Sequence, residues 1–223
     1  MLLRIKGLIP SDKLAIVREI LDSAHFVDGK LSAGKEAVNV KNNEELPQNH
    51  PEMARLNNIV MGHLVNHPVY QYGVLPHRIA APFYARYTPG KQYGYHVDDP
   101  IMGQADRYRT DVSITVFLNE PDEYEGGDLT LMTATGEARH KLPAGDALLY
   151  PSGSLHQVAP VSKGSRLVAV TWAQSMIPDP AQRELLYNLG QARDELIEKE
   201  PDAEVTQKIS TSYINLVRMW ADI

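Results

Sequence analysis

The strongest constraint on the fold of this 223-residue chain is the stretch from Ile79 to Gln174. Short runs of apolar, β-branched and aromatic residues follow one another there, separated by turns rich in Gly, Pro, Asp and Asn. The predicted strands are Ile79–Tyr87, Gln92–Asp98, Ser113–Leu118, Leu129–Thr133, Ala147–Tyr150, Gln157–Pro160 and Leu167–Thr171. No helix-period segment interrupts them. The pattern therefore predicts an α+β, mainly β protein with a sandwich or jelly roll, and argues against a doubly wound parallel sheet.

Inside this stretch lies Tyr93-Gly-Tyr95-His96-Val97-Asp98-Asp99. Side chains alternate along a strand, so His96 and Asp98 should point the same way, while Val97, Tyr95 and Asp99 point the other. Val97 and Tyr95 are expected to pack behind the strand. An imidazole beside a carboxylate makes two legs of a metal site, and equally well a hydrogen-bonded pair on a strand edge. A third ligand has to be found.

Of the eight histidines, His25, His50, His63, His67, His77 and His140 sit in helical, loop or strand-flank sequence without a partner at ligand spacing. His63 and His67 are one helical turn apart, but Pro68 should already have ended that helix. His156 differs, because it follows the turn Tyr150-Pro-Ser-Gly-Ser-Leu and enters a β-type run. Further on, Arg166 opens the buried-strand pattern Ser165–Trp172. A His on one strand and an Arg on the next, antiparallel strand can face a common cavity. Two imidazoles and one carboxylate on one side of an ion leave its other side open, the arrangement of non-haem Fe(II) oxygenases. A nearby guanidinium can clamp a carboxylate with two parallel hydrogen bonds.

Bulk properties remove other classes. A net charge of −6 argues against a nucleic-acid partner, which calls for a basic face. No apolar run approaches the roughly 20 residues of a membrane span, and the N-terminus lacks the long apolar region of a signal peptide. With Cys 0, disulfides and thiolate catalysis are excluded, which fits a cytoplasmic protein.

The flanks read as helical. Ser11 is the expected N-cap of a helix over 12–24, with Leu14, Val17, Ile20 and Leu21 on one stripe. Asn49 is the expected cap of a second helix, carrying Met53, Leu56, Val60 and Leu64. Between them, 28–48 is polar and predicted to be a loop reaching over its surroundings. After Ile177, Pro180 opens a helix with Leu185, Leu189, Ala192 and Leu196 on one side. Pro201-Asp202 opens another, with Val205, Ile209, Leu216 and Trp220. These helices either buttress the sheet or form a contact between copies in a homo-oligomer.

With all four candidate residues in view, the chain resembles the Fe(II)/2-oxoglutarate-dependent dioxygenases of the prolyl-4-hydroxylase-like class. Tyr87-x-Pro-Gly-x-x-Tyr93-x-x-His96-x-Asp98 is similar to that class's strand motif. Phe117-Leu-Asn119 with Glu125-Gly-Gly127, and Gly145-Asp146 through Tyr150-Pro151, His156 and Arg166, are similar to its middle and closing strands. The flanking helices look most like those of the bacterial PKHD-type hydroxylases, some of which are associated with iron uptake.

The resemblance implies a double-stranded β-helix (jelly roll, cupin-like), with N-terminal helices packed on the sheet and a C-terminal helical appendage. It implies a dioxygenase domain over 1–177, with its β core at about 79–175, and a helical segment over 178–223. His96, Asp98 and His156 would hold Fe(2+), and Arg166 would pair the C5 carboxylate of the co-substrate 2-oxoglutarate. Decarboxylation to succinate and CO2, using O2, would be coupled to hydroxylation of a peptidyl proline or lysine or of a small metabolite. L-ascorbate would enter as a reductant in assays.

Tyr87 either hydrogen-bonds the C5 carboxylate beside Arg166 or packs as a strand tyrosine. Leu131 and Trp172 are expected in the core, Thr115 is a candidate for the cavity wall, and Asn119 is expected to close a turn. The segments 28–48 and 100–109 are candidate lids. The rival reading is a non-redox cupin-like metal-binding protein or a zinc hydrolase, for which Arg166 would have no use.

Overall fold

The computed structural model describes residues 1–32, 34 and 37–223. Among them, two antiparallel sheets face each other and helices cover one outer side. The larger, eight-stranded sheet runs in the order Leu3–Ile5, Ala147–Pro151, Val112–Phe117, Arg166–Ser175, Phe83–Tyr87, Glu44–Glu45, Val27–Asp28, and Pro76–Ile79 also pairs with Arg166–Ser175. The smaller, five-stranded sheet runs Gly136–His140, Leu129–Thr133, His156–Val158, Gln92–His96, Lys41–Asn42. This is the predicted jelly roll.

Period-two alternation decides what each face meets. On the central strands of the large sheet, Val112, Ile114, Val116, Ala147, Leu149, Leu167 and Ala169 belong to the outer core. Their neighbours Phe117, Leu148, Tyr150 and Val168 belong to a second core between the sheets, with Leu129, Leu131 and Val158 from the small sheet. Ser113, Thr115 and Arg166 share the inward parity and are buried among these apolar residues. Polar groups in such a place need partners or a ligand.

The outer core is closed by helices α1 (Ser11–Ser23), α2 (Met53–Val65) and α3 (Pro68–Val74). Val17, Ile20 and Leu21 of α1 and Leu56, Val60 and Leu64 of α2 supply the predicted stripes. The caps differ from expectation. Pro10, not Ser11, precedes α1, and its carbonyl receives Lys13 N and Leu14 N at 3.0 and 2.9 Å. Glu52, not Asn49, precedes α2. As anticipated, α2 has ended before Pro68, which opens the unforeseen helix α3. His67 caps α3, its Nδ1 accepting from Val69 N at 3.2 Å.

Two further helices, α4 (Pro180–Lys199) and α5 (Glu204–Trp220), form a hairpin beside α3. Asp179 caps α4 by accepting from Ala181 N at 2.7 Å. The buried side of α4 runs through Arg183, Leu186 and Gly190; of the expected stripe Leu189 packs against this core, whereas Leu185 is 61% exposed. Gly190 is small because Tyr213 of α5 crosses there, its ring 3.2 Å from where a Cβ would stand. Arg183 fastens the hairpin to the β domain, donating to the carbonyls of Ile177 and Pro178 at 2.6 and 2.8 Å. The hairpin therefore packs on α3 and on the segment that follows the last strand, with Leu186 and Tyr213 against Leu75 and Ile177. Among the described residues no helix is long and apolar enough to cross a membrane.

The segment predicted as a loop over 28–48 is structured on both sides of 33, 35 and 36, which lie outside the described residues. Its strand Lys41–Asn42 pairs with Gln92–His96 of the small sheet, and its strand Glu44–Glu45 pairs with Phe83–Tyr87 of the large one. It bridges the two sheets along one side. The other candidate lid, 100–109, is a small hairpin of Ile101–Met102 and Tyr108–Arg109.

Candidate metal centre

His156 and His96 are directly opposed partners on neighbouring antiparallel strands of the small sheet. Both rings therefore point into the space between the sheets, with centroids 4.2 Å apart. Asp98 lies beyond the end of the strand Gln92–His96, yet its carboxylate returns to the same point. Its Oδ1 stands 3.7 Å from His96 Nε2 and 3.8 Å from His156 Nε2. One donor atom from each of the three residues lies within 4.8 Å of the others.

The tautomers suit a cation. Each Nδ1 meets a backbone carbonyl, Gly94 O at 2.8 Å for His96 and Ser154 O at 2.9 Å for His156. A carbonyl only accepts, so both Nδ1 atoms carry the proton and both Nε2 atoms present a lone pair. Tyr93 stacks on the His96 ring, centroids 3.6 Å apart and planes 9° from parallel. Burial, helped by the neighbouring His156, brings the His96 imidazole down to about 4, so it is a neutral donor at neutral pH. A neutral-imidazole and carboxylate donor set of this kind fits a divalent metal ion such as Fe(II).

Arg166 reaches the same cavity from the opposite, large sheet. The expectation that it occupies the strand next to that of His156 is corrected: the two strands belong to different sheets and face each other across the cavity. Arg166 is 1% exposed, and its Nε and Nη1 have no protein partner among the described residues. Its guanidinium lies over the rings of Tyr87 and Phe117, 5.1 and 5.6 Å from their centroids. A buried cation with unused donors is costly unless an anion completes it. The forked donor geometry fits a carboxylate.

Tyr87 is the register partner of Arg166. Its hydroxyl accepts from Asn43 Nδ2 at 3.3 Å, leaving its own proton for a group in the cavity. Burial pushes that phenol up to about 12, so it stays a donor. The cavity is lined by His96, Asp98, His156, Arg166, Tyr87 and Thr115, among others. Trp172 also lines it, against the expectation that it is core, and its edge meets Phe83 with centroids 5.9 Å apart. Leu131 is core, as expected.

Tyr95 and Val97 do point opposite to His96, but onto the outer face of the small sheet. No further layer of described residues covers that face. Tyr95 donates to Glu137 Oε1 at 2.5 Å, and Val97 is 50% exposed. Asp99 is exposed and outside the ligand group. Asn119, expected to close a turn, instead clamps the start of the strand Arg166–Ser175, donating to Ser165 O at 2.5 Å and accepting from Leu167 N at 2.9 Å.

Sequence reasoning missed Lys41, Asn43 and Glu45, which form one wall of the cavity. Lys41 Nζ meets Glu45 Oε1 at 2.5 Å and Ser32 Oγ at 2.7 Å, with both charged side chains buried. Their period-two spacing was the available signal, but it lay in a polar run with no apolar face to mark it as strand.

Comparison with known proteins identifies the family. The family described as the 2OG-Fe(II) oxygenase superfamily matches residues 82–174, and the PKHD-type hydroxylase C-terminal domain matches residues 180–222. A PKHD-type hydroxylase of Thioalkalivibrio sulfidiphilus is 50% identical over 100% of both chains. A Pseudomonas putida prolyl-4-hydroxylase structure covers 78% of this chain and 92% of its own, at 20% identity and a TM-score of 0.55. The structure of HygX from Streptomyces hygroscopicus, with nickel, 2-oxoglutarate and hygromycin B bound, covers 79% and 84%, at 16% identity and a TM-score of 0.54. The last two share the fold. The chain belongs to the 2OG-Fe(II) oxygenase superfamily and, within it, to the PKHD-type hydroxylases, enzymes that hydroxylate with Fe(II), 2-oxoglutarate and O2.

Proposed function

We propose that His96 and His156 through Nε2, with Asp98 through Oδ1, hold Fe(II), and that Arg166 anchors the C5 carboxylate of 2-oxoglutarate with Tyr87 beside it. The observation that carries this reading is the convergence of three donor atoms facing a buried, unsatisfied guanidinium across one cavity. When bound, the metal supplies the activation of O2 that couples 2-oxo-acid decarboxylation to hydroxylation.

The chain's own groups do the rest. The Nδ1–carbonyl bonds hold the imidazoles in the donor tautomer before any ligand arrives. Arg166 and Tyr87 supply N–H and O–H donors that fix the co-substrate's tail and so aim its other end at the triad. Phe117, Leu129, Val158 and Val170 exclude water around it.

The same reading places the dioxygenase domain at 1–177 and the helical segment at 178–223, supported by the two separate family matches. It assigns a cytoplasmic location, supported by the lack of cysteine. Its primary substrate is a peptidyl proline or lysine or a small metabolite, with a link to iron uptake supported only by analogy with other PKHD-type hydroxylases. Ascorbate serves as an assay reductant and needs no site.

Anaerobic addition of Fe(II) and 2-oxoglutarate should produce a weak visible charge-transfer band, and oxygen should then yield succinate. Asp98→Ala should abolish both with the fold retained. A band and succinate formation unchanged in Asp98→Ala would remove the ligand assignment. A screen of succinate release against peptides, free amino acids and siderophore-like metabolites identifies the substrate class.

A further inference from the structure

His96 and His156 are fixed twice, by strand pairing and by their Nδ1–carbonyl bonds. Asp98 has neither support, since it lies past the end of its strand. Its carboxylate is held from the opposite sheet. Ser113 Oγ, on the strand Val112–Phe117, donates to Asp98 Oδ2, a hydroxyl-to-carboxylate bond of the charge-assisted kind.

Ser113 is 0% exposed and lies 2.8 Å, oxygen to oxygen, from Ser152, itself 2% exposed. A hydroxyl has one proton. With the Ser113 proton on Asp98, Ser152 supplies the proton of the second bond, and the chain runs from Ser152 to Ser113 to Asp98. The two carboxylate oxygens are thereby given separate surroundings: Oδ2 faces Ser113, and Oδ1 faces the two imidazoles.

We propose that Ser113, backed by Ser152, is a positioning residue that occupies Asp98 Oδ2 and so commits the carboxylate to one-oxygen coordination. The proposal rests on the reading of Asp98 as a metal ligand. Carboxylates bind cations through one oxygen or two. A rotating Asp98 could offer both, and the second would take a position that the 2-oxo acid needs. Holding Oδ2 from the facing sheet keeps that position for the co-substrate and sets the direction from which Oδ1 approaches. Partners of this kind, one step behind the ligands, typically change affinity or activity by roughly 10–100-fold.

The test uses Mn(II) as an O2-inert probe in the full chain. The Mn(II) Kd is read by electron paramagnetic resonance of the free ion, and the 2-oxoglutarate Kd of the Mn(II)-loaded protein by calorimetry. Ser113→Ala should weaken 2-oxoglutarate by about 10-fold or more while changing Mn(II) by no more than about 3-fold, since the freed oxygen offers the ion a second bond in place of the lost support. Ser152→Ala should move 2-oxoglutarate in the same direction by less, and supplies the test should Ser113→Ala fail to fold. General loosening would weaken both ligands together, and that result overturns the proposal. So do variants that bind both like the wild type. A wild type that takes up no Mn(II) overturns the ligand reading, and this proposal with it.

Discussion

Arg166 and Tyr87 are register partners on adjacent strands of the large sheet, and the guanidinium carbon of one lies 5.1 Å from the ring centroid of the other. The strands therefore hold cation and phenol side by side with no loop involved. The arrangement is already formed by the strand pairing itself, so little ordering remains to oppose binding.

Replacing Arg166 tests the anchor. Arg166→Lys keeps a charge but loses the planar fork. It should weaken 2-oxoglutarate by about 10-fold or more, and Arg166→Ala by about 100-fold or more, since a hydrogen bond to a charged group contributes about 1.5–3 kcal/mol. Calorimetry on metal-loaded protein reads both. An Arg166→Ala variant with wild-type affinity for 2-oxoglutarate would end the assignment.

Gly127 makes room for that guanidinium's stem. Its φ is +67°, and a Cβ there would lie 3.0 Å from Tyr124 Cε2 and from Val161 Cγ2, and 3.1 Å from Arg166 Cδ. Gly127→Ala should cost about 1–3 kcal/mol of stability and weaken 2-oxoglutarate together with it. Urea unfolding and calorimetry on one preparation test the pairing. Loss of stability with unchanged co-substrate affinity would show that Arg166 does not depend on this turn.

Lys41 and Glu45 form a buried pair, at 8% and 9% side-chain exposure. Removing one partner leaves the other charge stranded, at about 3–5 kcal/mol. Lys41→Met and Glu45→Met should each destabilise by that order, and the double variant by distinctly less than their sum. A double-mutant cycle in urea measures the coupling. Additive effects would mean that the pair contributes nothing as a pair.

His140 carries a pH dependence distinct from the metal centre. Burial lowers its imidazole below the ordinary 6.5, and its Nε2 is buried without a partner among the described residues. The folded state resists the charged form, so the unfolded chain binds the extra proton. The resulting stability is fully present above the unfolded value and is lost as pH falls through the lowered folded one. His140→Gln should therefore flatten the acid side of the stability profile. The check is the drop in urea midpoint between about pH 7.5 and pH 5 in each protein. Equal drops would rule His140 out as a contributor.

Much of this was legible in the residues. Alternation along Leu167–Thr171 and Ser113–Leu118 separates outer-core from inward positions, and the structure keeps that parity. His96 and His156 meet as strand geometry allows. The route by which Asp98 joins them was not foreseeable, because it leaves the ladder and is held by Ser113 from a distant strand. Pairings such as Lys41–Tyr93 and Glu45–Ala85 join two-residue strands to remote edges, and no local pattern records that. Val97 and Tyr95 take the face that alternation predicts but meet no packed layer of described residues there, since nothing in a strand's own sequence says whether a layer lies behind it. Leu185 and Leu186 are adjacent leucines on a helix, and choosing between them required knowing where α5 lies.

The bridging of both sheets by residues 41–45 bears on traffic through the interior. A flap hinged at one end can swing on thermal energy, but this span is sewn to the small sheet by one edge and to the large sheet by the other. Lifting it would tear two ladders and unseat Lys41 from Glu45. Molecules entering and leaving would thus pass more cheaply by another doorway than through this seam.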